Sequence, residues 1–302
     1  MSASPSHAEA AAGVSAKSYS RTGDFITLMK PRLNFLVLLT VAAAYSLGAG
    51  PGSTLIDLAH TLLGTFLVAG GAAALNQVWE RRTDRLMRRT QNRPMADMRM
   101  TVAQGLTFGL LLSIAGAAEL AYFINSLSAI VALLTTASYI LFYTPLKLRT
   151  SLCTIVGAIP GALPPVTGWA AAREDLGVGA WVLFGILFLW QLPHTLAIGR
   201  LYQDDYARAG VQILPVVDAD GHATERQIVG GCLALLAVSL LPTLIGLAGG
   251  VYFIGALMLG ASFVTFGAQQ ALAPSASRAR RVLLASLLYL PALLALLAFD
   301  KA

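Results

Sequence analysis

The sequence predicts an all-α polytopic membrane protein with nine transmembrane helices, and three observations carry that expectation. Hydrophobic residues make up 56% of the chain and charged residues only 12%, against about a quarter charged in soluble domains. The apolar residues gather in nine runs of membrane length, near 33–50, 55–75, 102–118, 127–143, 152–172, 178–198, 228–247, 251–272 and 282–299. Every Lys and Arg except Arg173 and Lys301 falls where alternate runs begin or end. A spanning helix needs about 20 residues. Helices are required because a lone segment in lipid must satisfy its own backbone hydrogen bonds.

The elements follow in order. Residues 1–23 are rich in Ala and Ser and lack an apolar core, so a disordered tail is expected, followed by a single transmembrane domain over 24–302. The first apolar run begins too late for an ordinary cleavable signal peptide. Basic residues crowd the tail (Lys17, Arg21, Lys30, Arg32), the loop after the second run (Arg81 to Arg99), and the loops after the fourth (Lys147, Arg149), sixth (Arg200, Arg208, Arg226) and eighth (Arg278, Arg280, Arg281). The positive-inside rule puts these loops and the N-terminus in the cytoplasm, and the C-terminus outside. The net charge of +6 is thereby accounted for by topology. Nucleic-acid binding is not expected, because no soluble basic domain exists to carry it.

The two largest of these loops lie four helices apart, the mark of a weak four-helix internal repeat with a ninth helix added. In the fifth run, Pro160, Pro164 and Pro165 are expected to bend or break the helix. Gly157 and Gly161, at GxxxG spacing, allow close packing. Cys153 and Cys232 both lie in apolar runs and read as small buried hydrophobes, with no disulfide framework and no CxxC metal site.

Chemistry is concentrated at two points. Asn76, Glu80 and Asp84 stand at i, i+4 and i+8 directly after the apolar run ending at Leu75. On a helix they share one face, about 6 Å apart along the axis. Three oxygen-bearing side chains in a stripe suit a hard cation, and Mg²⁺ is commonly held by one or two carboxylates together with substrate phosphates. The segment continues with Arg88, Arg89 and Arg93, and arginine pairs with phosphate oxygens in bidentate fashion. The blander reading of the same pattern is an exposed helix laced with Glu–Arg pairs. The second point is Tyr202, Asp204 and Asp205, after the sixth run and equivalent to the first in the repeat. Two acidic groups facing each other could hold Mg²⁺ across a diphosphate and neutralise charge on a leaving group. An apolar tunnel in the bundle would hold the departing chain, and water would be kept from the allylic cation left behind. Lys147 and Arg149 are further candidates for diphosphate contact, although juxtamembrane topology also explains them.

His194 stands within the sixth run, in Trp190–Gln191–Leu192–Pro193–His194. An ionisable residue inside the membrane reads as functional by default, although a lone histidine is also a common hydrogen-bonded core residue. On a continuous helix it would share a face with Asp205 about 16 Å along the axis, suited to a large acceptor lying deeper. His60 falls near the outer end of the second run, and His7 and His222 in segments expected to be flexible.

At these residues a resemblance enters. Asn76–Gln77–Val78–Trp79–Glu80–Arg81–Arg82–Thr83–Asp84 with Met87–Arg88–Arg89–Thr90–Gln91–Asn92–Arg93–Pro94 resembles the first signature of the UbiA-type intramembrane prenyltransferases. Its ending resembles the heme-farnesylating branch of that superfamily. Lys30–Pro31–Arg32, Tyr143–Thr144–Pro145–Leu146–Lys147, Pro164–Pro165 with Gly168–Trp169, Trp190 to His194, and Asp205–Tyr206 followed by Leu214–Pro215–Val216–Val217 extend the match from Lys30 to Val217. The last three runs add only topology. Two departures stand out: the superfamily signature usually has aspartate where this chain has Glu80, and many members of the branch resemble Lys–Asp–Tyr where it has Asp204–Asp205–Tyr206. Asp205 therefore carries more weight than Asp204.

The resemblance implies an enzyme that transfers the farnesyl group of farnesyl diphosphate to a vinyl group of heme b, with addition of water, giving heme o and diphosphate. It implies Asn76, Glu80, Asp84, Tyr202 and Asp205 as catalytic residues, with Mg²⁺ held through the diphosphate by Asn76, Glu80, Asp84, Asp204 and Asp205. It further implies Arg88, Arg89, Arg93, Lys147 and Arg149 on the diphosphate and His194 on the heme. The membrane would be a bacterial inner membrane, or a mitochondrial inner membrane, with a heme a synthase as downstream partner. Heme itself is not legible in the residues, which show only a diphosphate site and a deeper histidine. Two rivals remain: a prenyltransferase for another aromatic acceptor, against which the Trp-Gln-x-Pro-His block argues, and a repeat-fold transporter. Transporters keep their sites near the midplane, whereas these ionisable residues crowd the membrane boundary.

Overall fold

The structure, a computed structural model, describes residues 20–302; most of the expected tail, His7 included, lies outside them. Ser20 caps α1 (Arg21–Leu28), its hydroxyl accepting the Gly23 amide at 3.0 Å with Asp24 in the first turn, so residues 21–23 are helical. Then come α2 (Pro31–Gly48), α3 (Leu55–Leu86), α4 (Val102–Phe123) and α5 (Ser126–Ala137), which passes through a π turn (Ser138–Tyr143) into α6 (Thr144–Leu146). The chain goes on with α7 (Cys153–Arg173), α8 (Val178–Leu201), α9 (Gln203–Arg208), α10 (Leu214–Val217), α11 (His222–Ser239), α12 (Leu241–Leu244), α13 (Gly250–Leu272) and α14 (Ala276–Phe299). Among the described residues nine helical segments are long and apolar enough to cross a membrane, as the runs predicted, and none forms a strand.

Most deviations from the expected boundaries have a local cause. Thr54 and Asp57 close a capping box on α3, and the helix then runs eleven residues past the apolar run. That extension puts Asn76, Glu80 and Asp84 on a helix end. The π turn precedes Pro145, whose ring has no N–H to donate and crowds the carbonyl of Leu141; the widened turn relieves both. π turns of this kind gather at functional sites. The three prolines of α7 do not break it, and the helix is continuous from Cys153 to Arg173. Gly157 and Gly161 meet side chains: a Cβ on Gly157 would strike the Tyr143 ring, and one on Gly161 the Gln191 amide. α8 likewise runs through Pro193 and stops only at Tyr202, where φ is −119°.

The main core joins α2, α7, α8, α11, α13 and α14, and α3 packs chiefly on α4. α14 returns to pack on α2 and α8, and Lys301 donates to the Ser46 carbonyl at 2.8 Å, so the last span closes on the first. Large apolar side chains such as Phe35, Leu111, Leu134, Leu141 and Leu288 stay exposed on the outside, the arrangement a lipid solvent requires.

Candidate active site

The stripe on α3 is buried at one end of the bundle: Asn76 and Asp84 are each 1% exposed and Glu80 6%. Its members touch. The Asn76 amide donates to Glu80 Oε1 at 2.5 Å and to Thr144 Oγ1 at 3.3 Å, the latter brought in by the residue that follows the π turn. Glutamate in place of aspartate reaches back one helical turn to make the first contact. Lys147, 8% exposed, forms an ion pair with Glu80 Oε1, and Arg93 Nη1 donates to Asp84 Oδ2 at 2.8 Å. The loop carrying Arg93 folds back because Thr90 Oγ1 donates to the Asp84 carbonyl at 2.8 Å and Arg85 Nε to the Ala96 carbonyl at 2.9 Å.

A further cation comes from the joint between α1 and α2. Lys30 adopts φ +49°, ψ +58°, a left-handed conformation that costs a non-glycine residue about 1 kcal/mol. It turns the chain so that Lys30 Nζ donates to Asn76 Oδ1 at 3.3 Å. Lys30 and Thr144 belonged to the resembling motifs but were given no role in the site. Their signal was the placement of Lys–Pro and Thr–Pro at span ends.

The second cluster reaches the same place. Asp205, 9% exposed, accepts the Arg89 amide at 3.4 Å through Oδ2 and forms an ion pair with Arg208 through Oδ1. The Arg89 guanidinium lies over the rings of Tyr202 and Tyr206, at 5.4 and 5.3 Å, and donates to the Tyr206 hydroxyl at 3.0 Å. Beneath, Met87, Cys153, Ala209, Val211 and Ile213 form one apolar floor, and the Gln212 backbone amide donates to the Lys147 carbonyl at 2.7 Å. Three loops are thus knitted into one site.

Not every expected residue enters it. Asp204 is exposed on α9 and its side chain makes no hydrogen bond or ion pair among the described residues, because neighbouring helical positions point about 100° apart and Asp205 takes the inward one. Arg88 and Arg149 are exposed and have no side-chain partner among the described residues, on the outer side of the turns that point Arg93 and Lys147 inward. Tyr202 is 42% exposed and serves as a platform for Arg89.

The donor set fits a hard divalent cation shared with a phosphate ligand. Among the described residues Asp84 Oδ1 is buried with no hydrogen-bond partner, and Asn76 Oδ1 and Glu80 add oxygens on the same stripe, while Asp205 is joined to it through the loop amide of Arg89. Among the described residues no three His, Cys, Asp or Glu side chains come together as a metal site, so a cation here would take its remaining ligands from substrate and water. The cations Lys30, Arg93 and Lys147, with Arg89 alongside, suit the same phosphates.

The other histidines divide clearly. His194 is half-buried in α8, stacked on Trp190 and hydrogen-bonded to Ser286. His60 pairs with Glu119 Oε1 at 2.7 Å and stacks on Phe123 at the opposite end of the bundle. His222 is the exposed first residue of α11.

A family model described as the UbiA prenyltransferase family matches residues 37–295. The chain is 48% identical over 287 residues to a protoheme IX farnesyltransferase of Solibacter usitatus, covering 92% of this chain and 98% of the relative. A protoheme IX farnesyltransferase of Koribacter versatilis is 43% identical, with 92% and 93% covered. Among solved structures, a digeranylgeranylglyceryl phosphate synthase superposes with a TM-score of 0.77 at 15% identity, covering 92% of this chain and 98% of that one. A UbiA homolog from Archaeoglobus fulgidus bound to DMAPP and Mg²⁺ gives 0.68 at 14% identity, covering 91% and 99%.

Proposed function

We propose that this chain, which belongs to the UbiA prenyltransferase family, transfers a farnesyl group from farnesyl diphosphate to a vinyl group of protoheme IX, with addition of water, giving heme o and diphosphate. The observation that carries the reading is the buried stripe of Asn76, Glu80 and Asp84 interleaved with Lys30, Arg93 and Lys147 at the mouth of an apolar bundle, with Asp205 tied to the same loop through the Arg89 amide. The proteins named protoheme IX farnesyltransferase, alike over nearly their full length, supply the acceptor and the chain length.

In this reading Asn76, Glu80, Asp84 and Asp205 hold Mg²⁺, which, when bound, neutralises charge developing on the diphosphate. Lys30, Arg93 and Lys147 bind the phosphate oxygens directly and fix the leaving group, since donors set in advance stabilise charge that grows in the transition state. Arg89, held between Tyr202 and Tyr206, closes the site from the loop side. As the carbon–oxygen bond breaks, diphosphate leaves with the electron pair and the farnesyl carbon becomes cationic. The vinyl group's electron pair attacks that carbon, and water captures the cation left next to the porphyrin ring, losing a proton to give the hydroxyl. The surrounding helices exclude other water until then. His194 is assigned to the heme. The membrane is proposed to be a bacterial inner membrane, with the site end and the N-terminus in the cytoplasm, and an enzyme of the heme a synthase type would take the product.

The test is incubation of purified protein with Mg²⁺, farnesyl diphosphate and heme b, followed by mass analysis of the heme. Heme o and one equivalent of diphosphate are expected. Absence of diphosphate release overturns the enzyme reading, and a prenylated product from another acceptor alone overturns the heme assignment.

A further inference from the structure

Ser286 lies in the middle of α14, fully buried, on a span none of the resembling motifs reaches. Its hydroxyl oxygen is 2.6 Å from the Leu283 carbonyl oxygen and 2.7 Å from His194 Nδ1. A hydroxyl has one proton to give. The carbonyl can only accept, so that proton goes to Leu283 and Ser286 Oγ is left to accept from the ring. His194 must then carry its proton on Nδ1, which leaves the lone pair of a neutral imidazole on Nε2. Among the described residues no protein group hydrogen-bonds to that nitrogen.

A second contact holds the ring in place. The Trp190 indole stacks on His194 with centroids 4.6 Å apart and planes 21° apart, and its Nε1 donates to the Ser286 carbonyl at 2.8 Å. One residue of α14 thus holds both aromatic groups of α8, the indole through its backbone and the imidazole through its hydroxyl. A packing histidine also bonds one ring nitrogen, but it does not need the other left free. A histidine that ligates a metal does: its other ring nitrogen almost always donates to a fixed acceptor, which sets orientation and basicity.

We propose that Ser286 is a positioning residue of the heme site, fixing His194 in the Nδ1–H tautomer and presenting Nε2 to the iron of protoheme IX. The assignment rests on the reading of the chain as a heme farnesyltransferase.

The experiment titrates the full chain, in nanodiscs, with ferric heme b and follows the Soret band, with the KM for farnesyl diphosphate measured beside it. Wild type is expected to give a histidine-ligated spectrum that His194→Ala loses and added imidazole restores. Ser286→Ala is expected to weaken heme binding about 10–100-fold with the KM for farnesyl diphosphate unchanged, and Ser286→Thr, which keeps a hydroxyl, to recover most of the loss. Ser286→Cys keeps the volume while weakening the acceptor, and is expected to behave like the alanine variant even if that variant does not accumulate folded. Wild-type heme affinity and spectrum in Ser286→Cys overturn the proposal, as does an unchanged spectrum in His194→Ala; both leave farnesyl transfer standing. Failure of wild type to release diphosphate in the presence of heme b overturns the underlying reading instead.

Discussion

At Asp84 the two carboxylate oxygens have different surroundings. Oδ2 accepts from Arg93 at 2.8 Å, while Oδ1 is buried with no partner among the described residues. An unpaired buried carboxylate oxygen is costly unless a cation completes it, so the charge of Asp84 and not its shape is what the site needs. Asp84→Asn keeps the shape and removes the charge. It is expected to lower kcat about 10²–10³-fold, the range for losing one stabilising group in the transition state, with heme affinity unchanged; a heme titration beside the rate assay checks both. Asp205→Asn is expected to act in the same direction. Lys30→Met removes a charge-assisted hydrogen bond worth about 1.5–3 kcal/mol, and should raise the KM for farnesyl diphosphate about tenfold or more. Wild-type kinetics in that variant would reduce Lys30 to a helix joint. The acids were legible because i, i+4 spacing is a property of one helix. Lys30 and Thr144 were not, because they arrive from other spans. Arg88 and Arg93 look equivalent in sequence, yet only the second lies inside the turn that Thr90 pins to Asp84.

Elements show the same division. Apolar length located all nine spans, because lipid sets their length and forces a helix. It missed where α3 ends, because beyond Leu75 the helix is held by tertiary contacts, among them Gln77 donating to the Leu28 carbonyl at 3.1 Å. GxxxG spacing placed Gly157 and Gly161 at close helix contacts, and there they cradle Tyr143 and Gln191 of neighbouring helical segments, so the glycines serve close approach and not helix propensity. The distinction can be measured. Helix propensity alone would make Gly157→Ala stabilising by about 1 kcal/mol. Against that, the new methyl meets a ring anchored on the π turn, and overpacking of this kind costs about 1–3 kcal/mol. Net destabilisation is expected, seen as a lower midpoint of thermal unfolding in detergent, with reduced activity because Tyr143 stands one residue from Thr144. A rise in the midpoint would show that the ring gives way freely.

On the scale of the whole molecule, orientation follows from where the basic residues lie. The loops at the site end carry Arg81 to Arg99, Lys147, Arg149 and Arg200 to Arg208, whereas the opposite end carries only Arg173 and Lys301. Such asymmetry sets topology during insertion, so the site end is expected on the cytoplasmic face. Thiol labelling tests this with little background, because Cys153 and Cys232 are 0% and 1% exposed. Gln91 is exposed in the loop after α3, and Gly52, also exposed, has open space around a Cβ at the other end. A membrane-impermeant maleimide is expected to label Gly52→Cys in right-side-out vesicles and Gln91→Cys only in inverted ones. The reverse pattern would invert the protein in the membrane without disturbing the site. Labelling of both from one face would be a deeper contradiction, since a single span, α3, separates the two positions. It would mean that α3 does not cross the bilayer, and the acidic stripe at its end would then lose the membrane boundary on which its chemistry depends.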